Sequence, residues 1–127
     1  MNNIIPKGSI EKELNSLCGK VEAKGKIFTG FNVWEQSTFR LFCELSNASY
    51  LIRGFTNADI RNAILETHDA SLPKNRNRMT RTIAKLRAHG LVKKVPRSIR
   101  YLLTDKGRRV ISALIQVRFR QYPPLAV

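Results

Sequence analysis

Apolar residues recur along this chain mostly three and four positions apart, the period of helices that bury one face. Ile10, Leu14, Leu17 and Val21 form a first stripe. It predicts an amphipathic helix from Ser9 to about Val21, with Ser9 as N-cap and Gly19 weakening its end. Gly25 to Asn32 is β-prone between glycines and predicts a short strand able to pair with a hairpin further on. From Ser37 or Thr38, Phe39, Phe42, Cys43 and Leu45 mark a helix ending near Asn47, whose aromatic face predicts the centre of the core. Trp34, just ahead of it, reads as a core or staple residue. Leu51 to Phe55 is a linker in which Gly54 allows a turn. Thr56, with Asp59 three residues on, is a capping-box variant opening a helix through Ile60, Ala63 and Ile64. A turn from His68 to Lys74 leads into a helix that starts between Leu72 and Asn75 and buries Met79, Ile83 and Leu86. His89 in its last turn and Gly90 just beyond give the stop. Leu91 to Val95 and Ile99 to Leu103 then predict a hairpin around Pro96-Arg97-Ser98. Thr104 caps a last helix with Asp105 in its first turn, and Val110, Ile111, Leu114, Ile115 and Val117, continued by Phe119, give that helix a wide apolar arc to about Gln121, before Pro123-Pro124 ends it.

The polar positions change the picture. Opposite Met79, Ile83 and Leu86 the same helix carries Arg78, Arg81, Thr82 and Lys85, with Lys74 and Arg76 ahead of it and Arg87 near its end. The segment from Lys74 to Arg120 holds fifteen of the 23 Lys and Arg residues and one of the nine Asp and Glu residues, Asp105. That segment alone carries the net charge of +14, and the rest of the chain is neutral. Cations confined to one stretch favour a polyanionic partner, because neutralising phosphates releases their counterions. No apolar run approaches a membrane span and the N-terminus has no signal-peptide pattern, so a cytoplasmic protein is expected. Cys18 and Cys43 stand apart with no CxxC and no neighbouring histidine, which predicts reduced, buried, inert thiols and no metal site. Nucleotide-loop and zinc-protease motifs are missing, His68-Asp69 reads as a turn or cap, and the basic half lacks the converging carboxylates of a metal-dependent nuclease. The chain reads as a non-enzyme without cofactor.

A cationic helix, a glycine stop, a basic hairpin and a capped helix, written as Lys85-Leu86-Arg87-Ala88-His89-Gly90-Leu91-Val92 and then Arg100 to Arg108, resemble the second half of a winged helix-turn-helix domain of the MarR, PadR and ArsR groups of bacterial DNA-binding proteins. Gly54 to Arg61 is also similar to a Gly-Phe-x-Asn-x-Asp-Ile/Leu-Arg stretch in the C-terminal module of long bacterial proteins. The resemblance implies a mainly α fold with a small β-wing, α+β in class: an N-terminal extension over 1–24, a winged helix-turn-helix domain over 25–121 and a tail over 122–127. It also implies duplex DNA as partner. Arg78, Arg81 and Lys85 would meet guanine edges or flanking phosphates, with Lys74 and Arg76 beside them, Thr82 a thymine methyl or the backbone, and Asn75 and Asn77 adenine. Lys93, Lys94, Arg97 and Arg100 would straddle phosphates, with Arg97 at the tip able to enter the minor groove. Arg61 is either a backbone contact or solvated. The implied function is a transcriptional regulator, dimeric on a pseudo-palindrome. The alternatives are a DNA-binding subunit of a larger nucleoprotein machine and an RNA-binding winged helix. The apolar stripes at Ile10, Leu14 and Leu17 and at Ile111, Leu114 and Ile115 exceed what one such domain requires, and predict a homodimer or partner interface.

Overall fold

The computed structural model describes residues 7–65 and 67–121, and side chains for 11–65 and 69–118. The expectations for the lead-in, the side chains of Ile10, His68 and Phe119, and the tail from 122 lie outside the described residues. The chain is mainly helical with two small antiparallel sheets, an α+β arrangement. Helix α1 (Lys7–Cys18) starts before Ser9, so Ser9 lies inside it and does not cap it, and it stops at Gly19. Val21 therefore leaves the helical stripe for a strand. Strands β1 (Val21–Ala23) and β2 (Lys26–Phe28) pair with each other, Val21 opposite Phe28 and Ala23 opposite Lys26, and not with the later hairpin as expected. Lys24 and Gly25 connect them with φ of 51° and 77°, both left-handed, as the turns that follow strand twist require.

Helix α2 (Gln36–Leu45) buries Thr38, Leu41, Phe42 and Leu45. Phe42 is wholly buried at the centre of the core and meets Phe31 edge-on at 5.5 Å. Trp34 is no core residue. It is 54% exposed, because the loop turns there: its N–H donates to Asn32 Oδ1 and its carbonyl faces Arg118. The expected linker contains a short helix, α3 (Tyr50–Arg53), followed by Gly54 at φ 76°. A Cβ there would come within 2.4 Å of the Tyr101 carbonyl oxygen, so only glycine lets the next residue, Phe55, exchange both backbone hydrogen bonds with Tyr101.

The capping box forms as read. Asp59 N–H donates to Thr56 Oγ1 and Thr56 N–H donates back to the Asp59 carboxylate, opening α4 (Asn57–Ile64). The expected turn from His68 holds one more short helix, α5 (Thr67–Ala70), before α6 (Pro73–Ala88) begins at the Leu72 end of the range expected. Gly90, at φ 75°, ends it. Strands β3 (Val92–Lys94) and β4 (Tyr101–Leu103) form the expected hairpin with shorter strands, antiparallel, Val92 opposite Leu103 and Lys94 opposite Tyr101. Thr104 Oγ1 accepts the Gly107 N–H and starts α7 (Asp105–Gln121).

Helices α1 and α7 pack on each other. Leu14, Leu17, Ile111 and Leu114 are buried in one core with Phe42, Phe55, Ile60 and Leu86, and Ile115 is partly buried against it. Within the chain, the described residues of each stripe pack into the same core. Arg109 Nε donates to Glu13 Oε1 at 3.1 Å across the same joint. Cys18 is exposed, not buried, since it ends α1 outside the joint, and Cys43 is half-buried with its pKa raised by burial. No described helix is long and apolar enough to cross a membrane.

Candidate nucleic-acid interface

Helix α6 is built so that its apolar stripe is spent inward. Pro73 occupies a first-turn position where no backbone N–H is needed. Met79, Ile83 and Leu86 are buried, which turns Lys74, Asn77 and Arg81 outward at helical spacing, with Ala84 and Ala88 prolonging the same stripe. Lys74, Arg76, Asn77, Arg78, Arg81 and Arg87 are exposed.

Three other expected contact residues are engaged inside the fold. Asn75 donates its amide to the Asp69 carbonyl at 2.8 Å and fixes the α5–α6 connection. Thr82 is half-buried and donates to the Arg78 carbonyl. Lys85 is half-buried with its ammonium 4.3 Å above the Phe31 ring centroid, a cation–π contact that draws it toward the loop before α2. These three shape and hold the helix, and the outward stripe is left to the others. Arg61 is half-buried and engaged within the fold: it donates to Asn57 Oδ1 and the Ala70 carbonyl, tying α4 to α5. Asn57 in turn donates to Thr80 Oγ1 at 3.0 Å and locks the start of α4 on α6.

The β3–β4 hairpin exposes Lys93, Lys94 and Arg97. Its turn is closed by Ser98, whose Oγ donates to the Val95 carbonyl and accepts the Arg100 N–H, and Arg97 sits at the tip with φ 59°. Arg100 differs from its neighbours. It is half-buried, and its Nη1 is shut off from solvent without a hydrogen-bond partner. Tyr101 packs its ring on Phe55 at 5.8 Å and seats the hairpin on the core.

Residues 73–104 contain ten Lys or Arg and no Asp or Glu. Among the described residues none of the ten makes an ion pair, so their mutual repulsion is uncompensated within the fold. His89, at the end of α6, is buried and its Nε2 lies 2.9 Å from the Thr29 carbonyl, with the Phe31 ring 5.4 Å away. Burial lowers its pKa, the Thr29 bond opposes this, and Lys85 and Lys106 lower it further. Neutral His89 thus pins the segment after β2 to α6.

Two cavities flank α6. One of about 340 Å³ lies between α2 and α6, with Phe31, Leu41, Ile64 and Met79 as apolar walls and Asn75, Arg78 and Thr82 at the polar side. The other, about 270 Å³, runs between the β1–β2 hairpin and the end of α6, lined by Ala23, Lys24, Lys26, Phe28, Ala84, Arg87 and Ala88. Sequence reasoning passed over Lys24 and Lys26. The signal was there in Val21-x-Ala23 and Lys26-x-Phe28 alternating around a two-residue turn, but three-residue strands are too short to outweigh a helical stripe that ends at Val21. Among the described residues no three His, Cys, Asp or Glu side chains converge on a potential metal position. Comparison of the chain with protein-family models, curated proteins and solved structures gives no match.

Proposed function

We propose that this chain is a winged helix-turn-helix protein that binds duplex DNA and acts as a transcriptional regulator. The carrying observation is the run of ten cations without an acid across α6 and β3–β4, unpaired within the described fold and presented by one helix and one hairpin. The element order supports it: helix α2, a single bridging residue at Phe55, helices α4 and α6, then β3 and β4. In this reading α4 is the supporting helix, α6 enters the major groove and β3–β4 is the wing. The short α5 between α4 and α6 lengthens the connection beyond a tight helix-turn-helix. Lys74, Asn77, Arg78 and Arg81 face base edges, Arg76 flanks them, and Lys93, Lys94 and Arg97 hold phosphates. Asn75, Thr82, Lys85 and Arg100 act mainly by positioning.

The test is binding to matched and scrambled duplexes selected from a random library. A regulator discriminates by roughly 10³-fold or more between its site and scrambled DNA. Uniform binding to every duplex would instead place the chain as a DNA-binding subunit of a larger assembly, and preference for single-stranded or structured RNA would remove the DNA reading.

A further inference from the structure

The outward stripe of α6 carries Lys74, Asn77 and Arg81 along its first half and then loses its charge at Ala84 and Ala88. At that point another element supplies cations. The β1–β2 hairpin lies along the end of α6, and the register puts Ala23 opposite Lys26 and Val21 opposite Phe28, so one hairpin face carries all four residues. Ala23, Lys26 and Phe28 line the groove against Ala84, Arg87 and Ala88, and Lys24 joins them from the turn, while Ile27 on the opposite face is 73% exposed. The result is a groove with a floor of small and apolar atoms and three cations, Lys24, Lys26 and Arg87, and no acid in its lining.

We propose that the β1–β2 hairpin is a second DNA-contacting arm, whose Lys24 and Lys26, with Arg87 of α6, receive the sugar–phosphate backbone at the C-terminal end of the recognition helix. The inference rests on the duplex-binding reading above and adds a contact surface to it. Three features select nucleic-acid backbone as the occupant. The charge is complementary to phosphate. The alanines leave room for a backbone to approach α6 closely where long side chains would hold it off. The arm is also fixed: Phe28 is half-buried in the groove, and one residue beyond β2's end His89 holds the following segment by the Thr29 carbonyl. Lys24 and Arg97 are the two non-glycine residues with positive φ among those described, and each is the cation at the tip of its hairpin. Asparagine or glycine would be the unstrained residue at the first position of the Lys24-Gly25 turn. A lysine held there is explained by what its charge does.

That turn chemistry supplies the experiment. Lys24→Asn creates the most favourable residue pair for the turn with Gly25, so the hairpin stays folded while its tip charge is removed, and Lys26→Gln removes the second charge. In a salt titration with a duplex long enough to extend one helical turn beyond the bound site, the double variant is expected to keep its far-UV spectrum and its ranking of matched over scrambled DNA. It is expected to lose about tenfold or more in affinity at low salt. Its slope of log K against log[salt] should be shallower by about 1 to 2, from roughly 0.9 for each phosphate no longer neutralised. An unchanged slope and affinity, with the wild type binding duplex normally, overturns the second arm and leaves the winged-helix reading standing. A wild type that fails to bind duplex at all overturns both. Arg81→Ala serves as the control that changes discrimination, not arm contact.

Discussion

In the duplex-binding proposal, single side chains divide into those that would read, those that would grip and those that hold the fold. Arg81 is exposed in the middle of the outward stripe, so Arg81→Ala is expected to cost on the order of 1–3 kcal/mol on a preferred site and to flatten discrimination there. Arg97→Ala, at the tip of the β3–β4 hairpin, should weaken all duplexes about equally. Competition assays separate the two, and uniform loss from both would reduce α6 to a backbone contact. His89 belongs to the holding group and sets a pH response. Its lowered pKa means that well above pH 6.5 it is neutral in folded and unfolded chains alike. As pH falls below that value the unfolded chain takes up the proton first, so stability drops through the folded pKa. Urea midpoints at pH 7.5 and 5 should therefore fall further for the wild type than for His89→Gln, which retains a donor for the Thr29 carbonyl without a titrating ring. Lys24→Asn should raise the urea midpoint by the equivalent of roughly 1 kcal/mol by relieving a left-handed lysine.

Elements with local signals were legible. Thr56 and Asp59 stand three residues apart and determine the start of α4 by themselves, and Thr104, Gly90 and the stripe of Met79, Ile83 and Leu86 likewise carry their meaning within a turn or two. Thr56→Ala should accordingly cost about 1 kcal/mol, read from thermal unfolding, and leave the rest of the helix order intact. What no local pattern specifies is which stripe meets which. Leu14 and Leu17 announced an apolar face but not that α7 would pack on it. The joint makes its own prediction: Leu14→Ala should cost about 2–5 kcal/mol, as a core substitution does, and Leu14→Lys should unfold the chain, not shrink an assembly. A folded Leu14→Lys protein by circular dichroism would contradict the joint. The candidate site was legible in its charges, since no acid interrupts residues 73–104. It was illegible in its engagement: the contacts that occupy Asn75, Lys85 and Arg61 come from Asp69, Phe31 and Ala70, each placed by the fold.

For the whole molecule, segregation of charge is the property that binding should report. With roughly five to eight phosphates neutralised, log K for duplex DNA should fall against log[salt] with a slope of about −4 to −7, and a slope near zero would remove the nucleic-acid reading. The clasp of α1 on α7 has a further consequence, for the chain while it is being made. The two ends that must meet, marked by Glu13 and Arg109, are 96 residues apart, and a ribosome adds roughly 5–20 residues each second. For several seconds the nascent chain therefore displays Leu14 and Leu17 with nothing to cover them, and the cationic helix and hairpin are made before their cover is. Folding has to wait for the last helix. A message cut short before α7 should yield no partial DNA binder, only an open chain that is basic, sticky and quickly degraded.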